Sequence, residues 1–210
     1  MHIFLRWGTC LAVAATVFVG GMGLVSADEP VEGRIGRAEL RFLEGMIDHH
    51  QMAIDMSNHC LDNTEDAGLL AICQAVIDAQ SAEIAQMQAW LLAWYNTAYT
   101  PISMVQPAGA MGDMEGMDHS TMNMQPADAP FTDMAMMMGM MAGFDRFEGE
   151  DYVDAWLESM IDHHDDAIHM SERLLARVGD AGHAELVALA QAIIDAQSAE
   201  IAGYEALLAG

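Results

Sequence analysis

Lysine is absent from this chain, and basic residues of any kind are few. Seven arginines stand against 32 acidic residues in 210, for a formal net charge of −25. Such a surface repels nucleic acid and anionic lipid, and it draws cations. Acidity also keeps a protein soluble, so it supports cation binding without proving it. Catalytic patterns are missing as well. The chain has no Cys-x-x-Cys, no Gly-rich phosphate loop after a strand and no evident Ser-His-Asp arrangement. It also lacks Glu-x-x-His, the spacing a di-iron helical bundle needs. No catalytic constellation is found, and the chain is not expected to be an enzyme. After the N-terminal run described next, no apolar stretch is expected to be long enough to cross a bilayer.

Arg6 precedes an apolar run from Leu11 to Val25, which closes on Val25-Ser26-Ala27. A charged start, an apolar middle and a small-x-small end are the parts of a secretory signal peptide, residues 1–27. A retained membrane anchor is the rival reading; the run's shortness and its small-residue end favour cleavage. The protein is therefore expected in the periplasm or secreted, with no membrane contact after cleavage. Cys60 and Cys73 then remain, with twelve residues between them. In an oxidising compartment they read first as a disulfide across the open end of a helical hairpin. A soft-metal thiolate site is the alternative.

Self-comparison is the most informative step. Met46-Ile47-Asp48-His49-His50 recurs as Met160-Ile161-Asp162-His163-His164. Ile77 to Ala85 recurs unchanged as Ile194 to Ala202, with the offset grown by three residues. Both parts of each copy have helical periodicity. Phe42, Met46, His49, Ala53, Met56 and Cys60 form one stripe; Cys73, Gln80, Ile84, Met87 and Leu91 form its partner. The polar Leu61–Asp66 stretch reads as the turn between them. Each copy is thus a helical hairpin, spanning 37–97 and 148–210. Two such hairpins bury their stripes best as an all-α four-helix bundle.

Both stripes carry polar residues where packing alone would place apolar ones. In the first copy His49 and His50 flank the stripe, Met46 and Met56 lie along it, and Gln80, Glu83 and Met87 face it. Imidazole suits copper and zinc, and thioether biases the choice towards Cu(I). The second copy offers His163, His164, Met170, Gln197 and Glu200, with Tyr204 in place of Met87 and Asp166 in place of Met52. That site should be harder and weaker for a soft ion. Hydrogen-bonded core histidines and a packing stripe of methionine are the bland reading of the same residues. His59, His169 and His183 are expected on the surface.

The connector, 98–147, is partly disordered by composition. Tyr99 to Phe147 contains twelve of the twenty methionines. In its first part Met111, Met114, Met117, His119, Met122 and Met124 alternate with glycine and with Asp113, Glu115 and Asp118. Thioethers need no deprotonation and form no disulfides, so they remain soft-metal ligands in oxidising surroundings. The stretch Met134–Met141 is more apolar and reads as metal capture or as docking on the bundle.

Met-Ile-Asp-His-His-x-x-Ala-Ile-x-Met at Met46–Met56, followed by Ala-Gln-x-x-Glu-Ile-x-x-Met-x-x-Trp-Leu at Ala79–Leu91, resembles the bacterial domain-of-unknown-function family number 305. The second copy, Met160–Met170 and Ala196–Leu208, departs from the motif at Tyr204 and Leu207. The resemblance implies a ferritin-like four-helix fold, export, and in some similar proteins copper binding linked to resistance. By motif it carries metal-binding roles to His49, His50, Met56, Glu83, Met87, His163, His164, Met170 and Glu200. The expectation is an exported protein that sequesters or transfers copper, chiefly Cu(I) with Cu(II) and Ag(I) as further candidates. Metal ions and a copper-transfer protein are its expected partners. A ferritin-like copper or iron redox enzyme and a non-metal interaction module are the alternatives.

Overall fold

The computed structural model describes residues 29–104 and 141–210. The leader 1–27 falls outside the described residues, as do Met111, Met114, Met117, His119, Met122 and Met124. Four long helices account for most of what is described: α1 (Gly33–Asn63), α2 (Ala67–Tyr95), α3 (Gly149–Val178) and α4 (Ala184–Leu208). No strand occurs among the described residues. The expected architecture, a helical bundle of two hairpins, is the one observed.

In the first hairpin α1 runs to Asn63, three residues into the stretch Leu61–Asp66 expected as the turn. Its end is held by local hydrogen bonds: Asn63 Nδ2 donates to the His59 carbonyl at 2.8 Å. Asp66 then caps α2, its Oδ1 accepting from the Leu69 N–H at 2.8 Å. Asn96 ends α2 in the left-handed conformation, φ 50°, which asparagine tolerates better than most residues. In the second hairpin a short 3₁₀ turn, Gly179–Ala181, intervenes before α4.

Cys60 and Cys73 form a disulfide, with sulfurs 2.04 Å and Cα atoms 6.5 Å apart. It lies beside the turn, not across the open end expected. The reason is topological: the interhelical turn lies between the two cysteines, so any link between them closes the turn end.

Two apolar clusters make the core. One gathers Phe42, Leu43 and Met46 of α1 with Met170, Leu174 and Val178 of α3. The other gathers Met52, Met56 and Cys60 of α1 with Tyr152, Trp156 and Met160 of α3. Early α1 thus meets late α3 and the reverse, so the two helices run antiparallel. Likewise Trp90 and Trp94 of α2 share a cluster with Leu186 and Leu189 of α4. By length and composition α2 is apolar enough to cross a membrane, contrary to the sequence reading that no second stretch is. Its inner face packs Leu69, Cys73, Val76, Ile84, Met87 and Leu91 into the core, carries the buried Gln80 and is tied to α1 by the disulfide.

After α2 the chain is strapped along α1. Tyr99 OH and the Ile102 N–H donate to Asp48 at 2.6 and 2.9 Å, and Ser103 Oγ and the Met104 N–H donate to Asp55 at 2.8 and 2.7 Å. Met104 is buried in the second cluster together with Phe144, near the far end of the connector.

Candidate metal centre

Between the two apolar clusters lies a polar layer built from the repeated motif. His49, His50, His163 and His164 are all buried, as are Gln80 and Gln197. His49 and His163 occupy equivalent positions in the two copies, and their rings meet at 3.7 Å between centroids. That contact is what a two-fold relation between antiparallel α1 and α3 produces at their crossing. Sequence reading treated the two hairpins as separate sites, whereas the fold merges them into one layer.

Hydrogen bonding settles which ring nitrogens carry lone pairs. His163 Nε2 lies 2.8 Å from the His49 carbonyl oxygen. A carbonyl can only accept, so Nε2 holds the proton and Nδ1 the lone pair. His50 Nε2 donates to Glu83 Oε2 at 2.6 Å in the same way. His164 Nε2 lies 2.8 Å from Glu200 Oε2. That contact is close but poorly aligned, and it acts as a charge contact more than a directed hydrogen bond. The Nδ1 atoms of all four histidines are buried, with no hydrogen-bond partner among the described residues. Ser57 and Ser171 hydroxyls and the Gln80 and Gln197 carbonyl oxygens are orphaned too, each in both copies. Orphaned buried acceptors cost stability, and here they recur in equivalent pairs.

A carboxylate that accepts from one imidazole nitrogen orients the ring and raises the basicity of the other, as around metal-ligating histidines. Glu83 stands in that relation to His50, and Glu200 approaches His164 at the equivalent place without an aligned hydrogen bond. Burial lowers the His49 pKa to about 4, against the nearby Asp166 carboxylate, which accepts from the ring and raises it; the His50 charge lowers it further. Burial also holds His163 well below the ordinary value, with the His49 charge acting in the same sense. Both rings are therefore neutral across the physiological range and need lose no proton to bind a cation.

The thioethers sit on both sides of this layer. Met46, Met87 and Met170 belong to the first cluster. Met52, Met56, Met104 and Met160 belong to the second. Met56 and Met87, paired by motif within one copy, thus lie in different clusters, each grouped with methionines from the other repeat. Tyr204, in place of Met87, packs 5.7 Å from the His164 ring. Among the described residues, no three His, Cys, Asp or Glu side chains are gathered as a preformed metal cluster. The donors present are imidazole nitrogen and thioether sulfur, a set that fits soft or borderline ions such as copper.

Two features escaped the sequence reading. Asp166, noted only as a substitution, approaches His49 Nε2 at 3.6 Å; the signal was its place one helical turn from the repeated His pair. His183, expected on the surface, is buried. Its N–H and Nδ1 both reach Glu39 at 2.7 Å, and Trp94 stacks on its ring at 3.7 Å. Tyr95 OH also donates to Glu39, which is fully buried. No local pattern marks Glu39, because its partners come from α2 and from the start of α4. His59 is half-buried, bonded to Tyr152 OH at 2.8 Å, while His169 is exposed as expected.

The family model described as Domain of unknown function (DUF305) matches residues 39–208. The chain belongs to this family. The DUF305 match runs as one span across both hairpins. Among solved structures, this chain is similar to CopM in the Cu(II)-bound form, at 25% identity with a TM-score of 0.54, covering 78% of this chain and 90% of that one. CopM in the Cu(I)-bound form matches at 22% identity and a TM-score of 0.53, covering 80% and 92%. A DUF305 fragment from Deinococcus radiodurans has the same fold at 23% identity, with a TM-score of 0.58 and coverage of 82% and 95%. No curated protein matches the chain.

Proposed function

We propose that this protein is exported and captures copper, holding or handing it on without turnover. Cu(I) is the favoured ion, with Ag(I) and Cu(II) as related cargo, and a copper-accepting protein is the proposed partner. The observation that carries this reading is the duplicated carboxylate–imidazole pair. His50 with Glu83 and His164 with Glu200 leave buried Nδ1 atoms with no hydrogen-bond partner among the described residues, between clusters that each hold several methionines. The likeness to CopM in its Cu(II)-bound form supports the same reading. The Met-rich connector segment Met111–Met124 adds thioethers of the type that receive Cu(I).

The test is competition with a chromogenic Cu(I) chelator. The protein should withdraw Cu(I) at micromolar or tighter affinity, and His50→Ala/His164→Ala should lose the bundle's share. Replacing Met111, Met114, Met117, Met122 and Met124 by Leu should remove capacity and leave the bundle's affinity unchanged. A protein that takes no Cu(I) from the chelator is not a copper carrier.

A further inference from the structure

Five of the six arginines after residue 28 meet on one face of an otherwise acidic molecule. Arg34, Arg37 and Arg41 follow one another at i, i+3 and i+7 along the start of α1, and Arg173 and Arg177 stand one turn apart near the end of α3. Because α1 and α3 are antiparallel, these segments lie side by side. Arg34, Arg37, Arg41 and Arg177 wall a cleft of about 400 Å³ that Ile35 and Ala38 also line, and among the described residues no acidic side chain lines it. A narrower continuation between Arg41, Arg173 and Arg177 has Phe42 and Leu174 at its base.

This placement runs against helix stability. Arg34 with Arg37, and Arg37 with Arg41, are like-charge neighbours at helical spacing along α1, each pair unfavourable. Arg34 also sits in the first turn of α1, at the positive end of its dipole, with Glu32 at the N-cap as the acidic residue before it. Among the described residues no carboxylate lines the cleft. A bound anion would relieve both penalties.

We propose that this cleft binds an anion carrying two or more phosphate groups. The guanidinium is planar and offers paired N–H donors that match phosphate oxygens two at a time. Four such groups around one cleft suit several phosphates better than one. The volume falls in the range of small-ligand sites, roughly 300–1,000 Å³. The negative charge elsewhere is no obstacle at physiological salt, because exposed charges further off than about 8 Å are largely screened. The site is independent of the copper layer.

Metal-free protein as recovered from the producing cells is titrated with pyrophosphate and tripolyphosphate by calorimetry, in the presence of a chelator. Parallel sedimentation with phosphatidylglycerol and phosphatidylcholine vesicles separates a free phosphate anion from a lipid headgroup. Binding in either arm should weaken as salt rises and fall at least about tenfold in Arg37→Gln/Arg41→Gln, a loss of about 1.4 kcal/mol. Arg146→Gln, away from the cleft, should leave it unchanged. If the glutamine variant melts early, Arg37→Ser/Arg41→Ser replaces it. Absence of binding to either polyphosphate overturns the proposal, and so does binding to the phosphatidylglycerol vesicles alone, whose headgroup carries one phosphate. So does binding that survives loss of the arginines, or citrate binding as tightly as pyrophosphate.

Discussion

Lowering the pH from 7 to 5 should destabilise the metal-free protein through His49 and His163. In the unfolded chain each imidazole titrates near its ordinary value of about 6.5. In the fold His49 titrates at about 4, and His163 well below the ordinary value. Between these limits the unfolded chain binds more protons than the native one, so stability falls as pH falls. For His49 the linkage amounts to about 2 kcal/mol between pH 7 and 5, and it levels off below about pH 4. His163 adds a similar amount, giving roughly 2–4 kcal/mol for the coupled pair. At roughly 2–4 °C per kcal/mol for a chain of this size, the melting temperature falls by roughly 5–15 °C. The 32 carboxylates also titrate in part of this window, so the measurement is a difference. Urea unfolding of the native sequence and of His49→Gln/His163→Gln is followed at pH 7, 6 and 5 with a chelator present. The stability gap between them should narrow or reverse by roughly 2–4 kcal/mol as pH falls. Curves that stay parallel within about 0.5 kcal/mol would refute a buried, neutral pair.

Three further outcomes are expected. Glu39→Ala strips His183 and Tyr95 of a buried acceptor and should cost roughly 3–5 kcal/mol, read as a lower melting temperature by circular dichroism. Reducing the Cys60–Cys73 bond opens a loop of about 13 residues and should cost about 3 kcal/mol in urea unfolding. Glu83→Ala removes the group that orients His50 and should weaken Cu(I) affinity roughly 10–100-fold in chelator competition while the fold persists; an unchanged affinity would detach His50 from the copper reading.

Much of the bundle was legible in the chain because its signals are local. Helical periodicity needs only near neighbours, so Phe42, Met46, His49, Ala53, Met56 and Cys60 declared a buried face, and all six are buried. The exact repeat of Met-Ile-Asp-His-His declared two equivalent hairpins. The pairing of His50 with Glu83 was also within reach, since both lie on facing stripes of one hairpin. The disulfide was expected at the open end of the hairpin, but with the turn lying between Cys60 and Cys73 it can only close the turn end.

Residue type and periodicity, by themselves, determined the helices, the buried stripes and the donor chemistry. Only the tertiary structure decided how the hairpins cross. The antiparallel meeting of α1 and α3 puts His49 on His163, sorts Met56 and Met87 into different clusters, and buries Glu39 against His183. It also gathers five scattered arginines around one seam, a positive face invisible in a net charge of −25. The physical reason is one of range: periodicity states which side of a helix turns inward, but contacts between residues more than a hundred positions apart depend on the crossing of whole helices.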